Sequence, residues 1–349
     1  MLHQFQQIAF CLALAAGASF TLSAQEMEDH AGHVPLLSGG MGYVHSVNGG
    51  VTSLEPQIDP VLVVPFGRHV LLESRVDFTG FFQHQNRTYG TFKGKVFKTI
   101  EFAQFDWLMN SYVIVTAGRY LLPFGLYNER LQPIWIKDLQ DAPITATIGT
   151  RPTGAGDGLM LRGVAVQMPS YTVQYTAYFS APSNIEQLVS GRAAGGDGSL
   201  YWPKPRVEAG VSYQRVLQNH QINSVATYVS WQPKAIHLDL KAEYDYSYNG
   251  NGYWLETSYL FEGPTIPSFL RHIQVVGRMQ QVVPLHGGGN SLPRTNTQRT
   301  DVGINYYLRD DIRIVSSYGR SFSVSRNINV WNVGLTYRFS LPLWREGER

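Results

Sequence analysis

Between Pro123 and Gly158 the chain sets Glu129, Arg130, Lys137, Asp138, Asp141 and Arg151 close together, with Trp135 and several prolines among them. Charges of both signs at such spacing suit a fixed electrostatic field that an ion must cross, rather than one reacting centre. The stretch starts as the strand "AGRYLL" and loses its alternation at Pro123, Phe124 and Gly125. Connections this long without regular structure are usually functional.

Other chemistry-bearing motifs carry less. "EDHAGH" puts His30 and His33 beside Glu28 and Asp29, a set able to chelate a divalent ion, but so near a processed N-terminus it reads as a solvated tail. "GDG" at 156–158 and "GGGN" at 287–290 resemble phosphate cradles in composition alone, since neither opens a helix after a strand. No G-x-S-x-G elbow accompanies the serines and ten histidines, so no catalytic residue is assigned. "NRT" at 86–88 matches a glycosylation sequon and means little in a bacterial loop.

Elements able to position the charged stretch must be strands. The 349 residues are 44% hydrophobic and only 15% charged, with 34 Gly and 20 Tyr, a balance that suits sheet and turns. A net charge of +2 argues against a nucleic-acid partner. The single cysteine, Cys11, lies in the apolar run "IAFCLALAAGASF", so disulfides and cysteine-ligated metals are excluded from the processed chain. That run is too short to span a bilayer and reads as a secretory signal, residues 1–24, although "MLHQFQQ" lacks Lys and Arg. A flexible segment, 25–38, would follow it. Beyond the signal no apolar run is long enough for a membrane helix, which leaves a closed barrel or a secreted soluble β protein.

Alternation favours the barrel. In "IHLDLKAEYDYS" Leu238, Leu240 and Tyr244 share one face, while Asp239, Lys241, Glu243 and Asp245 share the other. The same reading puts Glu73, Arg75, Asp77, Arg119, Arg206, Glu208, Glu256, Arg278, Arg299, Asp301, Arg313 and Arg338 on a water-facing wall. Such a wall predicts tolerance of Lys241→Gln and intolerance of Leu240→Arg. Trp107, Trp202 and Trp231 each precede a tight turn, as an interfacial girdle requires.

Fourteen strands are readily placed, but their directions put some long connections on each side. Adding "GMGYVHSV" and "GGDGSLYW" as strands brings the total to sixteen and returns the long connections 123–157 and 182–204 to one rim, with "QPKA" and "LRDD" on the other. The expected fold is therefore all-β: a transmembrane antiparallel barrel over 39–341, with a short tail at 342–349. Whether 123–157 enters the lumen or caps the mouth stays open at this stage.

The stretch "VTAGRYLLPFGLYNERLQPIW" resembles bacterial outer-membrane porins related to the phosphate-selective porin O and P family, through Pro123-Phe124-Gly125 before the loop. The ending "VGLTYRFSLPLW" resembles the last strand of such porins. The resemblance implies a sixteen-stranded, homotrimeric diffusion channel in the outer membrane whose loop dips into the pore. The chain departs from that family in having only seven lysines and in its tail beyond Phe339. Mixed wall charges predict weak selectivity for small hydrophilic solutes or ions, with no cofactor. The alternative is a barrel enzyme or a receptor-like barrel that binds a ligand in its lumen.

Overall fold

The computed structural model describes residues 34–84, 91–148, 154–218, 221–263, 266–286, 292–324 and 326–343. The signal sequence, "EDHAGH", "NRT", "GGGN" and Arg151 fall outside them, as does most of the tail.

Sixteen antiparallel strands close into one barrel. They are β1 Leu36–Asn48, β2 Val51–Phe66, β3 Val70–His84, β4 Phe92–Leu108, β5 Ile114–Leu121, β6 Ala155–Gln167, β7 Thr172–Ala181 and β8 Ala193–Trp202. Then come β9 Val207–Val216, β10 Ile222–Trp231, β11 Leu238–Ser247, β12 Gly250–Leu260, β13 Ile273–Pro284, β14 Thr297–Arg309, β15 Ile312–Ser323 and β16 Ile328–Pro342. Each pairs with its sequence neighbour, and β1 pairs with β16 from Leu36↔Pro342 to Asn48↔Val330. Closure leaves no strand edge to satisfy in lipid. Both strands inferred from direction alone exist, as β1 and β8. The first begins at Leu36, so three residues assigned to the flexible segment are already strand.

Alternation sorts the wall as the period of two demands. Val211, Tyr213, Tyr244, Tyr246, Val302, Ile304, Trp331 and Val333 are exposed on the outside. Lys241, Glu243, Asp245, Arg278, Asp301 and Asn332 are buried inside. The turns after Trp107, Trp202 and Trp231 lie on one rim, as does the two-residue turn 310–311. Connections 122–154, 182–192 and 285–296 lie on the opposite rim. One longer connection, 261–272, shares the short-turn rim.

Arg206 is not a wall residue. It sits in the 203–206 turn with φ 55, and β9 starts one residue later. Its carbonyl accepts the amide of Gln232 at 3.0 Å, so the backbone there serves the rim and leaves the side chain exposed.

Candidate functional site: the lumen insert

The insert after β5 enters the barrel. Leu121, Leu122, Pro123, Phe124, Gly125 and Leu126 are all buried, followed by a one-turn helix α1, Tyr127–Arg130. Gly125 takes φ 67, where a side chain is strained, and a Cβ there would lie 2.6 Å from the Glu243 carboxylate. The tight turn lets the Gly125 amide donate to Ser212 Oγ at 3.0 Å and the Leu126 amide donate to Glu243. The neck is closed by Asn128, whose Nδ2 donates to Leu122 O at 2.7 Å and to Gly154 O at 2.8 Å.

From α1 the insert crosses the lumen and bonds to successive strands. Glu129 accepts from Arg162 of β6 at 3.2 Å, and Arg130 pairs with Glu208 of β9 at 2.7 Å. Burial disfavours the Arg130 guanidinium, but the Glu208 carboxylate outweighs it and holds the group above its usual value. Ile134 seats on β1, where Cβ atoms at Gly40 and Gly42 would lie 2.9 and 2.6 Å from its methyls. Its amide donates to Asp59 of β2 at 3.1 Å. Trp135 lies between the guanidinium groups of Arg313 and Arg338, at 5.2 and 5.4 Å.

Asp138 accepts from Lys241 Nζ and Gln274 Nε2, both at 3.0 Å. Burial alone would raise the Asp138 carboxyl, yet the Lys241 ammonium and these hydrogen bonds hold it below its usual range. Asp141 pairs with Arg299 of β14 and accepts from Asn332 of β16 at 3.2 Å, while its carbonyl accepts from Arg278 at 2.9 Å. Apolar packing reinforces the bonds: Leu126 and Tyr127 pack with Tyr228 and Trp254, and Ile148 with Val282 and Leu292.

Among the described residues the insert thus packs against β1, β6 and β9–β16 and leaves a space beside β2–β4. That space is a cavity of about 250 Å³. Gln57, Asp59, Arg75, Asp77 and Glu101 line it from the wall, and Tyr127, Asn128, Gln132 and Lys137 from the insert. Across it Arg75 donates to Gln132 Oε1 at 3.1 Å. The Lys137 ammonium makes no ion pair or hydrogen bond among the described residues.

The charged residues read from the sequence therefore separate into three groups. Arg75, Asp77 and Lys137 line the cavity. Glu129, Arg130, Asp138, Asp141, Glu208, Lys241, Glu243, Arg278, Arg299, Asp301 and Arg338 tie the insert to the wall or support those ties. Glu73, which accepts from Gln104 at 3.3 Å, and Asp239, which pairs with Lys241 at 2.8 Å, belong to the wall.

Arg119 is misplaced by the sequence reading. Thr116 and Tyr120 point inward, so the odd position between Gly118 and Tyr120 cannot. Its register partners Ala103 and Asp157 share faces with Phe105 and Leu159, which are 54% and 60% exposed outside. Its guanidinium donates to Asp157 at 3.1 Å, to Ile100 O at 2.5 Å and to Val189 O at 3.3 Å. β5 stops at Leu121 while β4 continues beyond its pairing with it, and Arg119 ties the 182–192 connection across that notch.

Asp59, Gln57 and Glu101 were missed. The first two share one face of "EPQID", a signal obscured by Pro56 and Pro60. Glu101 sits where the β3–β4 register shifts, so simple alternation cannot assign it.

The closed sixteen-stranded barrel has solved counterparts. The fold is that of bacterial outer-membrane porins. Salmonella typhi OmpF, solved with daunomycin, matches with TM-score 0.60 and 12% identity over 88% of this chain and 98% of its own. Pseudomonas putida OprB at low pH gives 0.57 and 11% over 88% and 93%. An anion-selective porin from Comamonas acidovorans gives 0.51 and 11% over 87% and 98%. No protein-family model and no curated protein sequence matches the chain. The barrel places the protein in the bacterial outer membrane, its apolar girdle in lipid.

Proposed function

We propose that the protein is a passive channel for small hydrophilic solutes, with the long connections facing outward and a weak preference for cations. The carrying observation is the cavity left between the insert and β2–β4. Its wall and insert present Asp59, Asp77 and Glu101 against Arg75 and Lys137, three negative groups and two positive, a formal excess of one negative charge. One uncompensated charge beside water selects weakly. A volume of about 250 Å³ lies just below the roughly 300–1,000 Å³ of pockets that bury drug-sized ligands, which favours small solutes.

Purified protein in a planar bilayer should give steady single-channel steps. In a salt gradient the reversal potential should lie modestly towards the cation value. The preference should shrink in molar salt, where the Debye length is about 3 Å. A folded barrel that conducts nothing, or one that selects anions, would overturn the reading.

A further inference from the structure

We infer that the aperture is a transient binding site for solutes that carry an ammonium and a carboxylate together, of the α-amino-acid type. The inference rests on the channel reading above and deepens it. Its basis is the contrast between satisfied and unsatisfied charges around the cavity.

Most charged groups in this lumen are consumed by structure. Asp59 holds two backbone amides, of Gly40 at 2.9 Å and of Ile134 at 3.1 Å. Arg75 is engaged by Gln132 and lies over the Phe102 ring. Asp77 accepts from Thr79 at 2.9 Å and Gln57 at 3.2 Å. Two groups remain open. The Glu101 carboxylate makes no hydrogen bond among the described residues: its Oε2 is shielded beside Arg75 at 3.8 Å, while the side chain, 13% exposed, lines the cavity. Lys137 lines the same cavity from the insert, and its ammonium makes no ion pair or hydrogen bond among the described residues. Lys137 is also close enough to act electrostatically on Glu101 and on Glu55.

The open acceptor is on β4, and the open donor is on the facing insert. A solute with one charge satisfies one of them and is repelled by the other. A neutral solute satisfies neither charge. A zwitterion can turn its ammonium to Glu101 and its carboxylate to Lys137, relieving both without a net charge entering the lumen. The cavity of about 250 Å³ admits such a molecule with a short side chain and a few waters. No bond is made or broken, and two ion contacts open to water release as readily as they form.

Alanine and its neutral isomer lactamide have the same size, so proteoliposome influx of the two at low concentration tests the idea. Alanine should enter about three- to tenfold faster, the ratio that two solvent-screened ion contacts give. Lys137→Gln should remove most of that ratio and favour ethylammonium, and Glu101→Gln should remove it and favour lactate. Equal influx of alanine and lactamide through a conducting wild-type channel would overturn the inference and leave the channel reading standing. No influx of any solute would overturn the channel reading first. As a check independent of the variants, millimolar alanine should reduce the wild-type ion current while lactamide does not. Absence of that block also counts against the site.

Discussion

At the scale of single residues, charged groups that look alike in the sequence do different work. Lys137 and Arg130 are both cations of the insert, yet only Lys137 meets the cavity. Lys137→Gln should move the reversal potential towards cations. Arg130→Gln should leave it unchanged and lower thermal stability instead, because Glu208 loses its partner. Equal shifts of reversal potential in the two variants would contradict this division. Lys241 also corrects an expectation. Lumen position alone suggests that Lys241→Gln is tolerated, but Nζ lies 3.0, 2.8 and 3.6 Å from Asp138, Asp239 and Glu256. Removing it strands Asp239 and leaves Asp138 with Gln274 and Glu256 with Arg278, at a cost of about 3–5 kcal/mol on the scale of broken buried pairs. Leu240→Arg on the outer face should cost about 2–4 kcal/mol near the bilayer midplane. Urea titrations of both variants in lipid check the comparison. The Asp138 carboxyl supplies a pH dependence of known sign. Because it is held below its usual value, its contribution is complete above about pH 4 and is lost as pH falls through the lower folded value. Loss of the Asp138 tie should therefore raise conductance only in acid below about pH 4. Asp138→Asn should show the raised level already at neutral pH. A wild-type step near neutrality would mean that some other group controls the insert.

At the scale of elements, the insert behaves as a packed segment with a locked neck. Replacing 131–147 by a short Gly-Ser link should raise conductance severalfold, since the lumen of a barrel this size is otherwise an aqueous channel. The strands are untouched, so the barrel should still resist SDS at room temperature. Unchanged conductance would show that the solute path avoids the insert. Gly125→Ala tests the neck, because left-handed backbone costs a side chain about 1–2 kcal/mol and the new Cβ meets Glu243. Noisier conductance and earlier melting should appear together. Much of this architecture was legible from period and direction. Asp239, Lys241 and Glu243 alternate with apolar neighbours, and "GGDGSLYW" was required as a strand by direction alone. Other features were not legible, for definite reasons. Alternation assigns a face to Lys241 but says nothing of which insert residue meets it. Glu101 lies at a register shift, and Arg119 closes a notch that exists only because β5 is short. Each depends on contacts between residues far apart in sequence, which no local pattern encodes.

At the scale of the whole molecule, the barrel is lopsided. One arc, β2–β4, borders the cavity, whereas β9–β16 are packed or bonded to the insert among the described residues. Tyr228 and Trp254 are buried there with Leu126, aromatic rings inside a lumen that is otherwise polar. Removing Trp254 to alanine should cost about 3–5 kcal/mol, as in a soluble core, without touching the lipid face. A change confined to lipid-dependent insertion, with no loss of thermal stability, would contradict that packing. The arrangement also divides the protein's light emission. Trp107, Trp231 and Trp331 stand on the outer surface at 53%, 36% and 54% exposure, whereas Trp254 is 1% exposed. A brominated lipid should darken the outer rings and leave Trp254 shining, shielded from lipid by its own wall. Iodide in the water should not reach it either while the insert stays seated. The residual emission after both quenchers thus becomes a continuous reading of whether the insert is seated, taken without any current being passed.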